Sequence, residues 1–314
     1  MVQKESTAPR SFLGNIFISP SEPRLRAGWR FLLQAAMQIG LTIALSVAGF
    51  GLLIVLGRLP VDLTGLNSMP GLAAGEVVEL ITVLASVLIA RRFLDRRSFV
   101  SLGFKLGPRL WGDIGAGIGI TFAMMGLIFV AEWALGWLTL TGFAWSSEPA
   151  GSLTLNLLIW LIVFVVVGWN EELMSRGYHL QTIASGMGLF WGLMISSAIF
   201  GVLHLANPNA TWRSAAGILF AGLLLGYAYV RTGQLWLSIG LHIGWNFFEG
   251  VVFGFPVSGL PTYQLIKTTI AGPIEWTGGA FGPEAGLIVL PAIFAAVGLV
   301  YLYTAARAAH DLPH

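Results

Sequence analysis

The sequence predicts an all-α fold, a polytopic transmembrane helix bundle, and three observations carry that reading. Hydrophobic residues make up 56% of the 314 and charged residues only 10%, with a mean hydropathy of +0.79. A soluble domain carries roughly a quarter of its residues charged, so a chain this poor in charge must turn its outer surface to lipid. Eight stretches approach the roughly 20 apolar residues that cross a bilayer, and Lys and Arg fall in blocks between them.

Residues 1–28 are polar and broken by Pro20 and Pro23. They lack the short apolar stretch and small-residue cleavage site of a secretory signal and read as a cytoplasmic segment. A single transmembrane domain is expected over 29–308, followed by a tail at 309–314. Its spans fall at 29–57, 72–90, 113–138, 152–169, 187–206, 215–230, 235–254 and 285–306. Pro60, Pro70, Pro108, Pro149, Pro208 and Gly233 punctuate the loops. The fourth span meets no breaker until Ser185-Gly186, so its helix is expected to run past its polar end to about Ala184. Forty glycines suit closely packed membrane helices, and Gly115-x-x-x-Gly119 is expected to mark a tight crossing. Cysteine is absent, which excludes disulfides and thiolate metal sites.

Orientation follows from the 17 basic residues. Only Arg58, Arg213 and Lys267 fall on the far side, against fourteen on the side of the N-terminus. The positive-inside rule then places both termini in the cytoplasm. The expected location is a multi-pass position in a bacterial inner (plasma) membrane. Membrane lipid is the first partner, with Arg91-Arg92 and Arg96-Arg97 expected to fix topology and touch anionic lipid. Nothing points to nucleic acid, and the oligomeric state is left open.

A charged side chain at a helix centre in lipid costs about 2.5–3.5 kcal/mol or more, so each one needs a reason. Glu171 and Glu172 end the apolar part of the fourth span, and Arg176 stands one turn on, at i, i+4 from Glu172. His204 lies in the fifth span; His242 and Asn246 share one face of the seventh. Counted along their helices, these groups reach one layer of the bilayer. A carboxylate beside an imidazole can hold and deprotonate a water. A second imidazole and an amide can serve an oxyanion. Glu171, His204 and His242 could equally ligate one divalent ion such as Zn, and the residues leave a metal site and a metal-free site both open. Glu76, Glu79, Glu132 and Glu249 are expected to play structural or pairing roles, and Trp169, Trp236 and Trp245 to pack.

At these residues the chain resembles the CPBP family of intramembrane proteases, which includes the type II CAAX prenyl proteases and the bacteriocin-processing and immunity proteins. Three motifs stand in order: Glu-Glu-x-x-x-Arg at Glu171, Glu172 and Arg176, Phe-x-x-x-His at Phe200 and His204, and His-x-x-x-Asn at His242 and Asn246. The resemblance centres on a core at about 91–254. It implies an intramembrane endopeptidase with a conical cavity open to the cytosol. Glu171 and His204 would activate water, His242 and Asn246 would stabilise the oxyanion, and Glu172 and Arg176 would support them. The implied substrate is a membrane-associated peptide or protein. Two other readings remain: a non-catalytic immunity or regulatory scaffold of the same fold, and a proton-coupled transporter, against which the lack of paired halves counts.

Overall fold

A computed structural model describes residues 16–20, 22–55 and 69–310. The helices are α1 (Ala27–Val55), α2 (Met69–Ile89, continued by a π-helical turn Ala90–Leu94) and α3 (Leu110–Ala134). Strand β1 (Leu138–Phe143) follows. Helix α4 runs over Ala150–Met187, α5 over Leu189–Leu203 and α6 over Trp212–Thr232. Helix α7 joins Trp236–Asn246 to a π-helical Phe247–Val252. Strand β2 (Ile266–Ile270) and α8 (Val289–His310) complete the order. The all-α bundle is as expected, with one addition: β1 and β2 pair as an antiparallel ribbon, Leu138 opposite Ile270.

Among the described residues, seven helices, α1 to α6 and α8, are long and apolar enough to cross a membrane. The eighth stretch, expected at 235–254, does not qualify, because α7 is short and its beginning is buried. The loop after α2 covers that beginning: the Leu235 N–H donates to the Gly103 carbonyl at 3.0 Å, and the Trp236 indole donates to the Lys105 carbonyl at 3.0 Å. Leu102, Leu173, Tyr178 and Leu235, fully buried, fill the space beneath with Phe104 and Trp236.

Gly188, at φ +88°, makes the reversal from α4 to α5 in the positive-φ half of backbone space that only glycine enters freely. Thr211 and Ser214 close a reciprocal cap on α6, Ser214 N–H donating to the Thr211 hydroxyl at 3.3 Å.

The tight crossing lies where α3 meets α7, and not at the glycines expected. A Cβ on Gly115 or Gly119 would meet open space. On Gly117 it would strike the backbone of Gly240 and Leu241; on Gly240, that of Ile114; on Gly244, the Thr121 hydroxyl and Ile118. These three glycines bring the helices close enough to carry the His242 face into the interior.

One end of the bundle is tied by charge. Asp95, buried, accepts from Arg30 and, at 3.1 Å, from Arg91. Arg30 also reaches the Ser185 hydroxyl at 2.6 Å. Arg91 is therefore buried and paired, against the expectation that it meets lipid. Asp113 holds Arg307 at 2.8 Å at the same end. Arg24 belongs to this network, and burial lowers its pKa from the ordinary arginine value, with Arg30 and Arg97 adding to the effect.

Candidate active site

Helix α4 is continuous past its two glutamates to Met187, as the absence of a breaker suggested. Unforeseen was its change of pitch: residues Leu173–Leu180 are π-helical and buried throughout. Such segments recur at functional sites because the extra residue turns the helix face that follows. Glu172 precedes it and Arg176 lies within it.

Glu172, with no exposed surface, is held from three sides. Its Oε1 accepts from Arg176 Nη1 at 2.7 Å and from His242 Nδ1 at 2.9 Å. Its Oε2 accepts from the Ser238 hydroxyl. Arg176 spends its other nitrogen on the Gly222 carbonyl at 3.2 Å and lies 4.3 Å over the Phe200 ring. A buried charge pair of this kind is tolerable because further hydrogen bonds, from His242 and Ser238 to Glu172 and from Arg176 to Gly222, add to the ion pair. It ties α4, α6 and α7 together.

Phe200 gives its motif a physical reason. Its carbonyl accepts from His204 Nδ1 at 2.8 Å, and its ring meets both imidazoles edge-on, at 4.7 Å from His204 and 6.1 Å from His242. A carbonyl can only accept, so His204 carries its proton on Nδ1. His242 Nδ1, facing the Arg176-paired Glu172, donates likewise. Each neutral ring then leaves a lone pair on Nε2.

Both lone pairs face Glu171. Its Oε2 lies 3.6 Å from His242 Nε2 and 3.9 Å from His204 Nε2. That oxygen is buried and has no hydrogen-bond partner. Three acceptors thus surround one small space, an arrangement in which a water's two hydrogens would serve two of them. The electron-pair donors are of the type zinc takes. Among the described residues, no group of three His, Asp or Glu is arranged to hold a metal ion.

Glu171, His204, His242 and Asn246 all line one cavity of about 360 Å³. Glu172 and Arg176 lie behind that wall, as supports. The cavity also holds Glu76 and Glu79 from α2 and Glu284 from the loop before α8. The two α2 glutamates were expected to be structural, and Glu284 went unnoticed. Glu284 is fixed by the Ser258 N–H and hydroxyl, both at 2.7 Å, and by the Trp245 indole at 3.1 Å. Trp245 thus packs, as expected, and also donates. Glu249 and Glu132 are fully buried outside the cavity wall, with carboxylate oxygens that lack partners. Ser238 was also missed, though its signal was present: Ser238, His242 and Asn246 repeat every four residues on one helix face.

Leu102, Phe104 and Trp236 pack as one buried layer at the basic end. Loops of the opposite end contribute Asn207, Val257, Ser258, Leu260 and Glu284 to the cavity wall, beside residues of α1, α2, α4, α5, α6 and α7.

A family model described as type II CAAX prenyl endopeptidase Rce1-like matches residues 153–248. That segment contains all three motifs and both faces of the acceptor cluster. No curated protein matches the chain. Over residues 153–248, about a third of its length, the chain is thus similar to the Rce1-like model of the protease family that its three motifs resemble.

Proposed function

We propose that the protein is an intramembrane endopeptidase in which Glu171 activates a water toward a peptide carbonyl. The single observation carrying this reading is the unpartnered Glu171 Oε2 facing two imidazole lone pairs at 3.6 and 3.9 Å inside a cavity. A water seated there would give one hydrogen to Glu171 and one to His204. Glu171 takes a proton as the water oxygen attacks the carbonyl carbon. It returns that proton to the amine nitrogen as the carbon–nitrogen bond breaks.

The oxyanion needs donors. The Asn246 amide supplies one in every protonation state. His242 supplies the second from a protonated Nε2, while its Nδ1 is held by the Glu172 carboxylate at 2.9 Å. Glu172 thus acts as the orienting partner of His242, and Arg176 holds Glu172 in place. The bundle sits in a plasma membrane with its basic end and both termini in the cytoplasm, one membrane domain over 29–308. The substrate is a membrane-associated peptide or protein tail.

The test is purified full-length protein incubated with lipidated and plain peptides, with Glu171→Ala as control. Cleavage that disappears in a folded Glu171→Ala protein supports the reading. Cleavage that persists there, or no cleavage of any peptide, counts against it.

A further inference from the structure

We infer that the groove between the basic end of α2 and the loop after it binds one anionic phospholipid. Arg92 and Arg97 take its phosphate, and Leu88, Ile89 and Phe93 carry its acyl chain. The site is separate from the cavity around Glu171 and does not depend on the protease reading.

Shape is the first argument. The groove has a volume of about 430 Å³ and lies between residues 88–93 and 97–99. Arg91, buried, lines it and clamps the loop to the helix. Its Nη1 donates to Asp95 at 3.1 Å, its Nη2 to the Ser101 hydroxyl at 2.7 Å and its Nε to the Ser98 carbonyl at 3.4 Å. Arg96 turns the chain at a φ of +57°, and the Arg97 N–H then returns to the Arg91 carbonyl at 3.1 Å. Phe99 is fixed by stacking on Phe104, with ring centroids 5.1 Å apart. The groove is therefore held open by contacts behind it, and Arg92 and Phe93 are left exposed along it.

Charge is the second. Arg24, Arg30 and Arg91 surround Asp95, and Glu22 is shared by Arg24 at 2.7 Å and Arg97 at 3.2 Å. The Arg92 and Arg96 side chains make no hydrogen bond or ion pair among the described residues. Six arginines thus meet two carboxylates, which leaves a positive surplus at the edge of the membrane that attracts an anion. Guanidinium forks suit phosphate oxygens, which they can grip two at a time.

Position is the third. Helix α2 is apolar enough to span a membrane over Gly71–Leu94. Leu88, Ile89 and Phe93 lie exposed in its last turns, Phe93 at 70%, and Arg92 stands one turn beyond Leu88. Apolar surface gives way to arginine within one groove, as hydrocarbon gives way to phosphate within one phospholipid. A free phosphate ion would engage the arginines and leave the three apolar side chains without a part.

Phosphatidylglycerol and phosphatidylcholine with the same acyl chains serve as probes. Full-length protein in an uncharged detergent is titrated with each, and bound lipid is counted by native mass spectrometry. One phosphatidylglycerol per chain, bound at least about tenfold tighter than phosphatidylcholine, is expected from two arginines at a membrane surface. Arg92→Gln/Arg97→Gln should bring the two lipids within about threefold of each other. Lys105→Gln removes an exposed cation at the same end but outside the groove, and should leave the preference as in wild type. Arg92 and Arg97 are exposed, so the double variant should unfold at the wild-type temperature. If it fails to fold, Arg92→Gln alone should weaken phosphatidylglycerol binding by about fivefold. Equal affinity for the two lipids in wild type overturns the site, as does a preference that survives the double variant or is lost equally in Lys105→Gln. Glycerol phosphate separates lipid from free phosphate: displacement of phosphatidylglycerol at matched concentration would make the groove a phosphate site and overturn the lipid assignment. Lipid counts are read whether or not any peptide is cleaved, so failure of the protease reading shows separately.

Discussion

Glu172 grips His242 from a fully buried position: its Oε1 lies 2.9 Å from the imidazole Nδ1, which turns the opposite nitrogen toward Glu171. The two residues of the Glu-Glu pair therefore do different work. Glu172 organises, and Glu171 faces the cavity.

Removing Arg176 should expose the difference. Arg176→Ala leaves the Glu172 carboxylate buried without its charge partner, a change that typically costs about 3–5 kcal/mol. The expected outcome is a large drop in thermal unfolding temperature in detergent, alongside lost activity. An unchanged melting profile would contradict the pairing.

Ser238→Ala deletes one donor to Glu172 and leaves Arg176 and His242 in place. A loss of about 1–3 kcal/mol of stability is expected for a buried acceptor deprived of one partner. Cleavage should fall but persist. Complete loss of cleavage in a fully folded Ser238→Ala protein would mean that the hydroxyl acts in the chemistry itself.

The α3–α7 crossing predicts a contrast between glycines. Gly244→Val would drive a side chain into Thr121 and Ile118, pushing His242 and Asn246 away from the cavity. Both stability and cleavage should drop. Gly115→Ala and Gly119→Ala point into open space and should shift stability by less than about 0.5 kcal/mol, as uncrowded surface changes do. Equal effects at the two sets of positions would place the crossing elsewhere.

Metal dependence is a further check. The glutamate route proposed for the acceptor cluster needs a water there and no metal ion. Purified protein should keep its cleavage rate after extended chelation. Loss on chelation with recovery on adding zinc would replace the glutamate route with a metal-assisted one.

Much of this was legible in the sequence because burying charge in lipid is costly. Glu171, Glu172, Arg176, His204 and His242 stood out against apolar runs, and the four-residue spacing of His242 and Asn246 put them on one face. Ser238 has the same spacing but no charge, so nothing singled it out. Glu284 belongs to a loop, and its place in the wall depends on Gly282 packing against Pro256 and on the Ser258 contact, long-range relations that local pattern does not encode. Small-residue spacing identified α3 as a crossing helix but not which face crosses; Gly117, between the two expected glycines, turned out to meet α7. The shortness of α7 also escaped notice, since a hydropathy run reads the same whether a helix begins at the interface or beneath a covering loop.

The central claim is that Glu171 takes the water's proton. The most direct measurement compares kcat for peptide cleavage by wild type and Glu171→Gln at matched thermal stability. Gln keeps the shape but cannot act as base, and because Glu171 Oε2 has no hydrogen-bond partner, folding should be unaffected. A fall of about a hundredfold or more, the usual worth of a general base, with an unchanged unfolding temperature is expected. Cleavage within about tenfold of wild type by the folded variant would contradict the account.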